Sequence, residues 1–308
     1  MVNCEIPAAS APIKPKILAA QKLKILNTRS NLKGLVQLAV HLSITGLSGY
    51  IWMAMDQWWL KLPALIVYGF SLAAMFAIVH EACHRTAFAN NRLNDLVAWG
   101  AGVLSGYNST FYRRYHKWHH RYTQIAGKDP ELASPKPSNL REYLIEIIGI
   151  NWWLGKIKTH LQIATGNLDN HPYIAENAVQ EVVNSTRLQL VVYSMAIAIS
   201  FVFTQPWFIT YWLLPLAVGQ PILRLILLAE HTGCTLDNNP LSNTRTTLTW
   251  LPLRLLMWNM PFHAEHHLYP SIPFHALPQA HQDLQEHLAI CDSSYLRVNQ
   301  NIIQNLSS

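Results

Sequence analysis

Residues 115–120 read Tyr-His-Lys-Trp-His-His, and residues 263–267 read His-Ala-Glu-His-His, so the spacing H-x2-HH occurs twice. A related box, His80-Glu81-Ala82-Cys83-His84, lies upstream, and His231 closes a hydrophobic run between the second and third boxes. Eight of the fifteen histidines fall inside these three boxes. On a helix, His80 and His84 share one face, with Cβ atoms about 6 Å apart, a good separation for two imidazoles on one ion. His116 with His119, and His263 with His266, are read the same way at i and i+3. The adjacent His120 and His267 point about 100° further round the helix and are expected to reach a second point in space. Eight or nine imidazoles exceed the four to six or so ligands that one ion takes, so the count favours two metals. All-nitrogen ligation suits iron, zinc or copper and disfavours magnesium or calcium.

The surrounding composition places the boxes beside lipid. Of 308 residues, 50% are hydrophobic and only 13% charged, against about 25% charged in a soluble domain. The net charge of +6 is read as ordinary membrane topology. It comes with no basic stripe interleaved with aromatics, so no nucleic-acid partner is expected. Cys4, Cys83, Cys234 and Cys291 form no C-x2-C pair and no disulfide framework. The polar, lysine-rich start does not have the apolar core of a signal peptide.

Four apolar stretches are long enough to cross hydrocarbon: 35–55, 62–79, 188–203 and 207–228. Asp56 to Lys61, with Trp58 and Trp59, reads as a turn at an aromatic belt. Residues 93–107 read as a re-entrant or surface helix and Tyr143–Leu154 as interfacial. Residues 158–186 are assigned to water, Thr246–Pro261 to an amphipathic surface helix, and the part beyond Pro278 to a polar helical tail. Arg224 falls late in the fourth span, where it either snorkels or faces the protein interior. The expected fold is thus all-α and integral to the membrane: four spans in two hairpins, interfacial helices, and a helical cap carrying the metal site. Its parts are a basic tail over 1–32, partly disordered, a membrane domain over 33–290 and a C-terminal tail over 291–308. Lys and Arg concentrate on the side of both termini and all three boxes, which the positive-inside rule makes cytoplasmic.

The stretches HEACHRTAF, FYRRYHKWHHRYT with the following GKDPEL, and MPFHAEHHLYPSIPFHALP resemble the integral-membrane fatty acid desaturase and hydroxylase superfamily. The resemblance covers roughly residues 35–285. It implies a histidine-ligated centre of two Fe ions, with zinc able to substitute in overexpressed protein, and O2 as co-substrate. It implies an acyl-lipid or fatty acyl substrate drawn from the membrane, and an external electron donor such as ferredoxin or a small haem protein. His80, His84, His116, His119, His120, His263, His266 and His267 become the expected ligands, with His231 where members often add another. Some members carry an asparagine one turn before that histidine. Leu227 stands there in this chain, so that ligand is absent or replaced. No His-Pro-Gly-Gly haem-binding core is present.

Removing hydrogen from an unactivated methylene needs an oxidant that side chains do not supply and a metal cofactor does. Glu81, Asp129, Glu230 and Glu265 are candidate carboxylates to orient the imidazoles. The reading is a desaturase. The alternative is a lipid or carotenoid hydroxylase or ketolase of the same architecture. A non-enzymatic metal transporter would need ligands inside the spans, and a zinc hydrolase only three or four. Arg113, Arg114 and Arg121 either bind lipid phosphate or a donor protein, or form a solvated basic face. Cys83 is read as packing, and Trp152 and Trp153 as interface anchors. Asn243-Thr244-Arg245 either caps the surface helix or stabilises the site.

Overall fold

The computed structural model describes residues 16–306. Of the basic tail over 1–32, expected to be partly disordered, residues 1–15 lie outside the described residues. The chain is mostly helical. Among the described residues four helices are long and apolar enough to cross a membrane: Asn31–Ala54, Trp58–Cys83, Glu176–Val202 and Ile209–His231.

Helix α1 (Ala20–Leu26) leads to α2 (Asn31–Ala54). The Ser30 hydroxyl caps α2 by accepting from the Lys33 amide at 3.3 Å. At 1.5 Å per residue α2 is about 36 Å long, enough to cross about 30 Å of hydrocarbon. It turns Leu35, Val36, Leu42 and Leu47 outward, an apolar surface suited to lipid and not to water. The second span is two helices in series, α3 (Trp58–Ala73) and α4 (Met75–Cys83), joined at Ala74. It is the most buried of the four. On its α2 side, His41 Nε2 donates to the Ser71 carbonyl at 2.8 Å, joining the first two spans through a buried polar contact.

The fourth span begins as a π turn, Ile209–Leu213, and continues as α10 (Leu214–His231). Proline chemistry explains its first contacts. Pro215 has no N–H for the carbonyl of Tyr211, four residues earlier. The Tyr68 hydroxyl of α3 donates to that carbonyl instead, at 2.7 Å. Nearby, Trp52 Nε1 donates to the Thr210 carbonyl at 3.1 Å. Helix α10 packs chiefly on α3, and the two backbones meet at glycines. A Cβ on Gly219 would lie 1.9 Å from the Gly69 carbonyl oxygen, and one on Gly69 2.2 Å from that of Pro215. Only residues without a side chain fit this crossing.

Between these spans run α5 (Asn91–Ser105), α6 (Ser109–Tyr122), α7 (Leu140–Ile148) and α8 (Ile150–Ala164). The Asn90 and Asn108 side chains cap α5 and α6. Gly149, at φ 82°, makes the bend that separates α7 from α8. The interfacial stretch expected over Tyr143–Leu154 is therefore two helices. Its outward face carries Leu144, Ile148, Leu154, Ile157 and Leu161. Residues 158–186, assigned to water, are largely helical, and most of their polar side chains are exposed. Helix α8 runs to Ala164, and the third span, α9 (Glu176–Val202), already begins at Glu176. Further along α9, Gln189 is buried and accepts from Asn108 Nδ2 at 3.2 Å.

The segment Thr246–Pro261 also departs from the expected single helix. Thr246–Thr247 forms β1, which pairs in parallel with β2 (Cys291–Asp292), and Leu251–Leu256 forms the short α11. Helices α12 (His263–Leu268), α13 (Leu277–Leu284) and α14 (Tyr295–Gln304) complete the chain. Asn299 of α14 donates to the Leu225 carbonyl of α10 at 3.1 Å and accepts from the Tyr143 hydroxyl of α7 at 2.9 Å. Arg245 ties β2 to the fourth span. Its guanidinium donates to the carbonyls of Ala229 and Thr232, the latter at 2.8 Å, and its Nε donates to Asp292 at 2.8 Å. It thereby covers carbonyls that the end of α10 leaves without helical partners.

Replacing Gly219 by valine should force α3 and α10 apart at a cost of about 1–3 kcal/mol. The expected result is a lowered thermal unfolding midpoint of the detergent-solubilised protein, with loss of bound metal in parallel. An unchanged midpoint would show that the crossing does not hold the spans together.

Candidate metal centre

Each histidine sits where an element ends or turns inward. His80 lies in the last turn of α4, and His84 is its C-terminal cap. Helix α6 carries His116, His119 and His120, α10 ends on His231, and α12 carries His263, His266 and His267. The structure brings all nine together, with His84 at the half-buried edge.

They form two adjoining sets. His80, His84, His116, His120 and His266 each offer a nitrogen within 4.8 Å of the others, and His119, His231 and His267 do the same. His263 adjoins the second set, its Nε2 3.2 Å from His231 Nε2. Within the first set, Nε2 atoms approach to 3.0 Å between His116 and His120, and to 3.1 Å between His266 and both His84 and His120. Two nitrogens bound side by side to one ion at about 2.0–2.1 Å lie about 3 Å apart. His80 Nε2 and His119 Nε2 are buried without a hydrogen-bond partner. Such a cluster of nitrogen donors fits two transition-metal ions.

The division between the sets differs from the one expected from spacing. His116 shares its set with His120 and not with His119, and His263 lies beside His231 and His267 while His266 crosses to the first set. Helix geometry supplies the reason. Four residues turn about 400°, leaving i and i+4 about 40° apart, whereas i and i+3 diverge by about 60° to the other side. Each H-x2-HH box therefore gives an i,i+4 pair to one set and its middle histidine to the other.

The four candidate carboxylates have different uses. Asp129 holds an imidazole: its Oδ1 lies 2.8 Å from His119 Nδ1, and the carboxylate also accepts from the amides of Gln124 at 2.8 Å and Glu131 at 2.9 Å. Glu230 Oε2 lies 3.5 Å from His263 Nε2. Glu81 instead accepts from the Phe274 amide at 3.0 Å, fixing the segment that follows the third box. Glu265 bonds to Thr246 and to His281, clamping α12 between β1 and α13. It serves the scaffold because the helix turns it away from the metal-facing side.

Other groups near the imidazoles carried no signal in the spacing. Thr123 Oγ1 lies 3.2 Å from His267 Nδ1, and the Asn243 carbonyl accepts from His231 Nδ1 at 3.1 Å. Asn243 and Thr244 thus support the site, and Arg245 caps α10, which resolves the two readings of that tripeptide. Glu131 Oε2 lies 3.7 Å from His119 Nε2. Arg113 pairs with Asp95, and Arg114 with Glu181.

Burial, reinforced by neighbouring imidazoles, holds His116, His120, His263 and His267 well below the usual histidine range, which favours the neutral form that metal binding needs. At His119 burial acts in the same direction, but the carboxylates of Glu131 and Asp129 outweigh it and raise the group.

A cavity of about 760 Å³ reaches this centre, with His80, His116, His263 and Glu230 in its wall. Phe76, Tyr107 and Tyr112 also line it. Trp152, expected as an interface anchor, is buried in the same wall with its Nε1 donating to the Tyr107 hydroxyl at 3.0 Å.

Comparison with known proteins gives a consistent result. The sequence profile of the fatty acid desaturase family matches residues 56–301. The chain belongs to the fatty acid desaturase family. It is 25% identical over 269 residues to an sn-1 oleoyl-lipid 12-desaturase of Picosynechococcus, covering 80% of this chain and 76% of that protein. Similarity extends to a Delta(5) fatty acid desaturase of Caenorhabditis elegans, 24% identical over 70% of this chain and 55% of the relative. It also extends to an alkane 1-monooxygenase of Acinetobacter baylyi, 23% identical over 69% of this chain and 51% of the relative. All three histidine boxes and the cavity wall lie inside the family match.

Asp129→Asn should keep the fold and weaken metal binding about 10–100-fold, because the carboxylate that orients His119 is gone. Titration of the metal-free protein with Fe(II), followed by metal analysis, checks this. Wild-type affinity in the variant would remove Asp129 from the site.

Proposed function

We propose that this protein is a membrane-bound, O2-dependent di-iron desaturase that introduces a double bond into the acyl chain of a lipid. The observation that carries the reading is that the histidine cluster presents His80, His116 and His263 in the wall of a large, aromatic-lined cavity. A cavity of this size falls in the range of small-molecule sites. An iron pair supplies the one-electron and O2 chemistry needed to attack a methylene.

The first set would hold one ion through His80, His84, His116, His120 and His266, and the second the other through His119, His231, His263 and His267. The chain's own groups do the positioning. Asp129, Thr123 and the Asn243 carbonyl fix the rings of His119, His267 and His231. Phe76, Tyr112 and Trp152 exclude water from the cavity and give the hydrocarbon a surface to lie on. Overall, two hydrogens leave adjacent carbons, and O2 takes these together with two electrons and two further protons to leave two waters. The electrons come from a docked carrier, a ferredoxin or small haem protein, on the cytoplasmic side. Both termini and the metal centre lie on that side, since the basic residues concentrate there.

The second reading is an oxygenase of the same architecture, favoured by the similarity to an alkane monooxygenase. Both reactions begin by removing one hydrogen. They part on whether a second hydrogen or an oxygen atom is transferred.

Iron-reconstituted protein should hold two irons per chain. His119→Ala and His266→Ala should each lower that number, and because they belong to different sets the ion lost should differ. Incubation with acyl lipid, O2 and reduced ferredoxin should yield a product two hydrogens lighter by mass spectrometry. A product that is only ever one oxygen heavier would replace the desaturase reading with the oxygenase one.

A further inference from the structure

The geometry points to an anion-binding subsite in the cavity, where Lys156 and Arg224 hold the negatively charged end of the substrate, a carboxylate or a phosphate. This rests on the desaturase reading and adds a substrate class to it. Both cations line the same cavity as His80 and His116. Lys156 Nζ stands 3.6 Å from the centre of the Tyr107 ring and 5.8 Å from that of Trp152. Arg224 Nη2 donates to the Tyr107 hydroxyl at 3.0 Å, and its guanidinium carbon lies 5.9 Å from the Trp152 ring centre. Two cations therefore converge on one aromatic platform.

Their charge is poorly balanced. Glu146 approaches Arg224 only to 3.9 Å, while the arginine side chain is 12% exposed and the glutamate side chain 30%. Arg224 Nε is buried without a hydrogen-bond partner. Among the described residues Lys156 forms no ion pair, and burial beside Arg224 pushes its ammonium down to about 7. A cation buried late in a membrane span is costly and marks a functional position. A bound anion would satisfy the free guanidinium N–H and offset the repulsion between the two cations.

The placement suits an acyl substrate. Arg224 precedes Glu230 by six residues on α10, about 9 Å along the axis, and both line the cavity. A chain anchored by its charged end at Lys156 and Arg224 runs toward the histidines past Phe76 and Tyr112. The reacting carbon is then set by its distance from that end and not from the methyl end.

The test compares ligands sharing one oleoyl chain: oleate, lysophosphatidate and the neutral methyl oleate. Equilibrium binding to the full-length, iron-loaded protein in neutral detergent should favour at least one of the charged ligands over methyl oleate by about tenfold or more. Which of them it favours assigns the subsite to a carboxylate or to a phosphate. Lys156→Gln should abolish the preference, Lys156→Arg should retain it, and methyl oleate should bind all three proteins alike. Equal affinity of the wild type for charged and neutral ligands overturns the subsite, as does a preference that survives Lys156→Gln. The wild-type comparison decides even where a variant does not fold. Double-bond formation without any charge preference sinks this inference alone. Charge-selective binding with no oxidised product sinks the desaturase reading and leaves the subsite standing.

Discussion

Imidazole nitrogens share an ion only when each comes within about 2 Å of it, so that no two lie more than about 4 Å apart, and here the donors arrive from four separate places in the chain. The close passage of α3 over α10 makes this possible. At Gly69 and Gly219 the backbones touch without side chains between them. Helix α4 continues from α3 and ends in His80 and His84, while α10 ends in His231. The depth of the glycine contact therefore fixes how near His231 can come to the histidines of α6 and α12. The Tyr68 hydroxyl that replaces the missing proline donor holds the other end of the same interface.

The site must also stay neutral, and burial accomplishes that. Protonated imidazoles repel one another and do not bind metal. Burial around α6 and α12 achieves this by making a charged imidazole costly to hold away from water. The carboxylates act selectively against this background: Asp129 and Glu131 gather at His119, beside the second set. The second set is thus the more anionic of the two. Its metal ion would lie nearer to compensating negative charge, an asymmetry that tunes the two positions differently.

Much of this architecture can be read from residues in order. The histidine spacing marks the residues that meet in the cluster, and apolar runs of sufficient length mark the spans. Misreadings cluster where one residue has two physically reasonable uses. Gln189 is a polar residue inside an apolar span, yet it is buried and bonds to Asn108 and Tyr107 within the protein. Trp152 has the amphipathic ring of an interface anchor, but its N–H finds Tyr107 inside the cavity. Thr246–Pro261 has apolar residues enough for a surface helix. Its first residues are captured instead by pairing with Cys291–Asp292, forty-five positions further along. Local pattern carries no record of such distant partners.

The sequence by itself determined the chemistry of the centre and its surroundings: nine histidines, their spacing, and the apolar spans that end beside them. These follow from residue type and from the fixed rise and turn of a helix. Tertiary structure alone decided which imidazoles meet, which acids support them, and what faces the cavity. The difference between i+3 and i+4 is only a matter of direction around a helix, and a direction has meaning only once neighbouring helices occupy it. Glu81, Asp129, Glu230 and Glu265 are chemically almost alike, but packing aims Asp129 at His119 in the cluster and Glu265 at His281 outside it.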